Sequence, residues 1–405
     1  MPVGYSQLPE LLPVGGIRLA AVGAGIRYQG RNDLVVMELA EGSRVAAVFT
    51  RNAFCAAPVT VAREHLGLGM PRYLLINSGN ANAGTGAGGL DDARRSCRAL
   101  AQLTACDPQQ VLPFSTGVIG QRLAVDRLQA ALPAALEGLG GNAWETVARA
   151  IMTTDTVPKG VSMRIQIEGR TVTITGIAKG AGMIRPDMAT MLAYIGTDAN
   201  VDAATLQECL HRAVGRSFNR ITVDGDTSTN DACVLAATGA CGGSEITAAH
   251  PDLAVFREAV TATCERLAQL IVRDAEGATK FVTVEVSGGA SSEECLQVAY
   301  TVAHSPLVKT ALFASDPNWG RILAAVGRAG LPDLDVNAVS IFLDDVCIVR
   351  DGGVAAEYLE VDGQRVMDRE EILIDIRLGR GHARERVWTS DLSHEYVRIN
   401  AEYRS

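Results

Sequence analysis

The sequence predicts an α/β fold of the mixed, α+β kind, with helices stacked outside mixed sheets. Three observations predict it. Strand-like runs rich in Val, Ile and Leu alternate with helix-like runs along all 405 residues. Strand runs also follow one another directly, without the strict β-α-β rhythm of a parallel sheet. The apolar fraction of 47%, with 20% charged residues, is that of an ordinary globular chain, long enough for two lobes or one large layered domain.

In chain order, DLVVMELA and SRVAAVFT read as an early pair of strands, and RYLLINSG as a third. LDDARRSCRALAQLTAC follows as a helix with an acidic first turn. AVDRLQAALPAALEGL is a second helical stretch, which Pro133 is expected to break or kink. RTVTITGIAKG is a strand running into a glycine turn, and MATMLAYIG another strand. Beyond them, ATLQECLHRAVGRSF, HPDLAVFREAVTATCERLAQLIV and SPLVKTALFAS read as helices. KFVTVEVSGG, VSIFLDDVCIV and EILIDIRLG read as strands. Both halves look able to build sheet-plus-helix layers, so a division near residues 179–199 is expected.

The net charge of −9 argues against nucleic acid or an anionic membrane as partner, and 5% aromatic residues against base stacking. Nine cysteines without a C-x-x-C pair and six dispersed histidines suggest reduced thiols and no metal site. The amino terminus lacks the basic and apolar regions of a signal peptide, and no run approaches the roughly 20 apolar residues of a membrane helix. A soluble cytoplasmic protein is expected.

Several motifs bear on chemistry. Gly84, Gly86 and Gly89 fall in G-x-G-x-x-G order, with Asp107 at the distance of a ribose contact. However, NSGNANA separates them from the preceding strand, so a flexible glycine loop is the better reading. Asn77, Asn80 and Asn82 can order a turn or bond a ligand. FSTGVIG sets Thr116 before Gly117, a step that brings backbone close to a ligand and can aim a donor at an oxyanion. TTDTVPKG and VDGDTSTND are polar clusters suited to a zwitterion or to plain loops, and Glu276 and Lys280 in RDAEGATK suit a solvated helix end.

Thr190 sits inside an otherwise apolar run. It can simply pack, its hydroxyl bonded to a neighbouring carbonyl. It can also be a nucleophile if the Ala189–Thr190 bond is cut, because the new α-amine, with an ordinary pKa of about 7.7–8.0, would serve as base. The Thr190 hydroxyl could make that cut itself by attacking the Ala189 carbonyl, giving an ester that water opens.

KGAGMIRPDMATML, STGVIG, TTDT, DGDTSTND, DAEGATK and DPNWGR together resemble the glutamate N-acetyltransferase family, the ornithine acetyltransferases of arginine biosynthesis. The resemblance covers essentially the whole chain. It implies helices over two central mixed sheets, similar to amino-terminal-nucleophile enzymes but of distinct topology. It implies a precursor that cleaves itself into an α fragment, 1–189, and a β fragment, 190–405. It implies ping-pong transfer of acetyl from N2-acetylornithine to glutamate through an ester on Thr190. Thr116 and Gly117 match the family's oxyanion hole. Its substrate contacts fall on Thr153 or Thr154, Lys179, Thr190, Glu276, Asn400 and Ser405, where relatives often carry threonine. No cofactor is implied, although members differ in whether acetyl-CoA also serves as donor. The α and β fragments are expected to associate as αβ dimers or larger assemblies such as a heterotetramer. A self-processed aminopeptidase or amidase is the alternative enzyme, and a binding module the non-enzymatic one.

Overall fold

The computed structural model describes residues 2–5, 7–27, 29–185 and 191–402. Along the chain run β1 (Ile17–Val22), β2 (Leu34–Leu39), β3 (Arg44–Phe49), α1 (Ala57–Leu68), β4 (Tyr73–Asn77), α2 (Gly86–Thr104), β5 (Val111–Ser115), α3 (Val125–Glu137) and α4 (Trp144–Ala150). Then come β6 (Lys159–Ile167), β7 (Arg170–Lys179), β8 (Leu192–Thr197), α5 (Ala203–Arg216), β9 (Ala232–Ala237) and α6 (Leu253–Arg273). The remainder is β10 (Phe281–Gly289), α7 (Ser292–Ala303), α8 (Pro306–Phe313), α9 (Trp319–Gly327), β11 (Ser340–Leu343), β12 (Val346–Arg350), β13 (Gly353–Val354), α10 (Glu360–Met367), β14 (Glu371–Arg377), β15 (Ala383–Ser390) and α11 (His394–Glu402).

Side-chain alternation builds the layers. In β2, Leu34 and Val36 face a core shared with α2 and α3, where Cys97, Leu100, Leu128 and Leu132 are buried. Val35, Met37 and Leu39 face the other way, against Ile177, Leu192, Tyr194 and Val234 of a second sheet. The reverse face of that sheet, with Ile174, Ala193, Ile195 and Leu235, packs on Leu206, Leu210, Phe256, Val260, Leu267 and Ile271 of α5 and α6. The order is helices, sheet β1-β2-β4-β5, sheet β3-β9-β8-β7-β6, helices. Every residue of β8 and β9 is buried, as expected of strands covered on both faces.

The two stacked sheets and outer helices match expectation, but a third sheet does not. β13-β12-β11-β14-β10-β15 carries its own core with α7, α8 and α9. Its strands look like those of the other sheets in sequence, and only the pairings separate them. Two local expectations also change. VSIFLDDVCIV is a hairpin, β11 and β12, turning at Asp344 with φ +48°. Pro133 lies inside a continuous α3, on its exposed face, where water can serve the carbonyl that loses its N–H partner.

The middle sheet takes β3, β6 and β7 from before residue 190 and β8 and β9 from after it. β8 pairs antiparallel with β7 and parallel with β9, so the chain just after residue 190 is gripped on both edges. The rings of Phe114 and Tyr194 meet edge to face between the two sheets, with centroids 5.3 Å apart. This contact, worth about 0.5–1.5 kcal/mol beyond its buried area, ties the end of β5 to β8.

Candidate active site

One wall of the site is backbone. After β5, the Thr116 N–H donates to the Asn77 carbonyl at 3.0 Å, and Val118 N–H to the Gly79 carbonyl at 3.3 Å. The Ser115 hydroxyl donates to Asn77 Oδ1 at 2.6 Å, and Asn77 Nδ2 to the Asn80 carbonyl at 2.8 Å. Asn80 Nδ2 reaches the Gln121 and Arg122 carbonyls, and Asn82 Nδ2 the Gly89 carbonyl. The asparagine-rich segment thus makes scaffold for residues 115–118. Gly117 is required there: its φ is +133°, and a Cβ would lie 2.2 Å from the Gly79 carbonyl carbon. The Gly117 N–H and the Thr116 hydroxyl bond no other described residue, and both border the cavity described below.

The opposite wall is held by buried charge. Lys159, 1% exposed, donates to Asp155 Oδ1 and to Asp274 Oδ2, each at 2.6 Å. Asp155 also accepts from the Gly180 N–H at 2.7 Å and the Thr153 N–H at 3.0 Å. Asp274 accepts from the Thr156 hydroxyl and from its N–H. One triad therefore fixes Thr153 and Thr154, the end of β7 at Lys179, and the turn leading to Glu276. Burial alone would raise the Asp155 pKa, but the charges of Lys159 and Lys179 with the hydrogen bonds of Lys159 and Gly180 hold it well below the carboxylate range. Burial likewise disfavours a charged Lys159, and the two carboxylates overcome it and raise its pKa.

Glu276, only 9% exposed, accepts from Asn400 Nδ2 of α11 at 2.7 Å, and its N–H donates to the Ala181 carbonyl at 2.9 Å. A Cβ on Gly182 would sit 2.5 Å from the Glu276 carboxylate, so glycine lets that side chain lie against the turn. Lys280 is 7% exposed and donates to the Met367 and Arg369 carbonyls, which makes it structural. The expected solvated helix end is thus a buried junction, closed by β10, β14 and α11.

The third side is the VDGDTSTND segment. Asn230 Nδ2 donates to the Ala81 carbonyl at 2.6 Å and to the Ser115 carbonyl at 2.9 Å, pinning this segment to the first wall. The Ala232 N–H donates to the Met191 carbonyl at 3.0 Å, pinning it beside the start of β8. Asp231 lies between these two anchors. Sequence reasoning singled out the segment as a polar cluster without choosing residues within it.

These walls enclose a cavity of about 240 Å³ bordered by Thr116, Gly117, Thr153, Thr154, Lys179, Glu276 and Asn400. Every described residue of the expected oxyanion hole and substrate site is therefore at one place. Met191 and Leu192 border it too, whereas Ala189, Thr190 and Ser405 lie outside the described residues. The lining adds Gly182, Met183, Ser228, Thr229, Asn230 and Asp231, which sequence reasoning did not name. No histidine or cysteine is among the described lining residues, and no metal-binding cluster among the described residues of the chain. Chemistry here rests on hydroxyls, amides, a lysine and carboxyls.

A protein of Pseudomonas fluorescens named arginine biosynthesis bifunctional protein ArgJ is 59% identical over 406 aligned positions, covering 100% of both chains. A protein of the same name from Methylococcus capsulatus is 59% identical across 98% of this chain and 97% of its own. The crystal structure of arginine biosynthesis bifunctional protein ArgJ from Bacillus halodurans matches 52% of this chain and 98% of its own, at 39% identity and a TM-score of 0.50. The ArgJ family model matches residues 18–405. On this match and the full-length identity, the chain belongs to the ArgJ family.

Proposed function

We propose that the protein is a glutamate N-acetyltransferase of arginine biosynthesis, transferring acetyl from N2-acetylornithine to glutamate. The observation that carries the reading is the convergence of Thr116, Gly117, Thr153, Thr154, Lys179, Glu276 and Asn400 on one cavity, beside the strand that follows Thr190. Thr190 attacks the acetyl carbonyl, its α-amine taking the hydroxyl proton. Thr116 and Gly117 stabilise the oxyanion. Lys179 and Glu276 supply opposite charges for a zwitterionic amino acid; Thr153 or Thr154, Asn400 and Ser405 add polar contacts.

The nucleophile is exposed by self-cleavage at Ala189–Thr190, giving fragments 1–189 and 190–405. The Bacillus halodurans chain, about half as long as this one, has the size of such a fragment. Because the middle sheet draws strands from both sides of residue 190, fragments cut there stay paired through β7–β8 and β3–β9. That sharing supports an αβ unit, and a heterotetramer would pair two such units. The relatives are named bifunctional, and acetyl-CoA as a second donor to Thr190 gives the second activity. No described helix is long and apolar enough to cross a membrane, which accords with work in the cytoplasm.

Intact mass under denaturing conditions, before and after brief mixing with N2-acetylornithine, tests the reading. Two fragments meeting at Ala189/Thr190, with one acetyl group gained by the second, are expected. Thr190→Ala should remain one chain and be inactive. An active Thr190→Ala protein, or acetyl passed to water in preference to glutamate, would overturn the assignment.

A further inference from the structure

Asp231 is the buried carboxyl of the cavity that the reaction above does not use. It is 3% exposed and borders the cavity, and its Oδ2 has no hydrogen-bond partner among the described residues. A buried acceptor left unpaired costs about 1–3 kcal/mol, so its retention in a cavity wall calls for a ligand. Its backbone is fixed on both sides of the reacting centre. Asn230 clamps it to Ser115, one residue before Thr116, and Ala232 clamps it to Met191, one residue after Thr190. Burial pushes the Asp231 carboxyl well above the carboxylate range, against a Ser228 hydrogen bond and the Lys179 charge that act the other way. Its neutral form therefore carries a proton to give.

We propose that Asp231 is a catalytic residue that donates a proton to, and later accepts one from, the substrate nitrogen. The inference rests on the acetyl-transfer reading above. In the first half-reaction a bond forms from the Thr190 oxygen to the acetyl carbon, and the hydroxyl proton passes to the Thr190 amine. The carbon–nitrogen bond of the acetyl amide breaks, and the Asp231 O–H protonates the departing nitrogen. Ornithine leaves as an amine, and Asp231 remains as a carboxylate near Lys179. Glutamate then enters as its free amine, having left one proton in solvent, as many as the released ornithine takes up. Its nitrogen bonds to the acetyl carbon and gives a proton to Asp231. The ester carbon–oxygen bond breaks, and the Thr190 oxygen regains its proton from the Thr190 ammonium. The α-amine thus serves the oxygen and Asp231 the nitrogen.

Asp231→Asn keeps the shape and removes the transferable proton. The variant is purified, its cleavage at 189/190 checked by mass, and its acetylation timed with two donors. N2-acetylornithine needs a protonated leaving group, whereas 4-nitrophenyl acetate releases a stable phenolate without one. Acetylation from the amide should fall by about 100-fold or more, and from the ester change by less than about threefold. Equal loss with both donors, or no loss with either, overturns the proposal. Should the variant fail to mature, the wild-type enzyme and a series of ring-substituted acetanilides decide. Rates nearly independent of leaving-amine basicity support a donated proton, and rates falling steeply with basicity exclude one. A wild-type enzyme that gains no acetyl group from N2-acetylornithine, yet is acetylated by the ester, overturns the donor assignment itself.

Discussion

Two walls of one cavity are held by different physics. The Thr116–Gly117 wall is a lattice of neutral hydrogen bonds in which backbones approach too closely for any Cβ at residue 117. The Lys179–Glu276 wall rests on a buried cation between two buried carboxylates. The first solution sets atomic positions with little electrostatic field, which suits donors aimed at a transient oxyanion. The second costs several kcal/mol of desolvation per ion and is stable only while every partner is present. In exchange it joins three segments, residues 153–156, 179–180 and 274–276, that no single strand could join. Asp231 differs from both: its burial is like that of Asp155, but no cation among the described residues is bonded to it.

Between the two walls, the largest effect is expected at Gly117. Gly117→Ala forces two backbones apart, and acetyl transfer should fall by about 100- to 1,000-fold, the usual effect of losing one oxyanion donor. Steady-state kinetics on folded, cleaved protein would check this, and a drop below tenfold would mean that the first wall is not rigid. Lys159→Met breaks the second wall by leaving two buried carboxylates unpaired, and should cost about 3–5 kcal/mol in urea unfolding. Adding Asp155→Asn and Asp274→Asn should recover much of that loss, since it is the uncompensated charge that destabilises.

Titration sharpens the contrast. The folded pKa of Asp155 lies below its unfolded value, so its stabilisation is present above about pH 4 and fades as pH falls through the folded value. Lys159 is raised, so its share is complete below about pH 10.4 and fades only as pH rises through its folded value. The triad is thus at full strength between those limits, and the deficit of Lys159→Met should shrink as pH falls, because protonation neutralises the same two buried carboxylates. The smallest effect is expected at Asn400, exposed on α11 and bonded to Glu276. Asn400→Ala should raise the KM for substrate a few-fold and leave kcat and fragment formation nearly unchanged, as befits an exposed residue at the rim.

Much of this was legible before any coordinates. The apolar alternation of DLVVMELA and the helical spacing of LDDARRSCRALAQLTAC are local signals, and they became β2 and α2, although α2 starts earlier, at Gly86 within the expected glycine loop, and its first turn is not acidic. The candidate lining residues were legible through their motifs, because short runs such as STG, TTDT and DAEG survive as strings. What escaped was non-local or depended on exposure. Pro133 is tolerated because its face of α3 is wet, and VSIFLDDVCIV bends because Asp344 adopts a left-handed conformation.

The sequence by itself determined several strands, among them β2, β7 and β10, five of the eleven described helices and most of the candidate reactive groups, since these depend on neighbours within a few residues. Tertiary structure alone decided which sheet each strand joined, and that β8 is gripped by β7 and β9. It also decided that Lys159 meets a carboxylate 115 residues away and that Asp231 Oδ2 has no partner among the described residues of the cavity wall. The physical reason is that the free energy of a buried charge or strand edge depends on what covers it. That cover comes from distant segments brought together by folding.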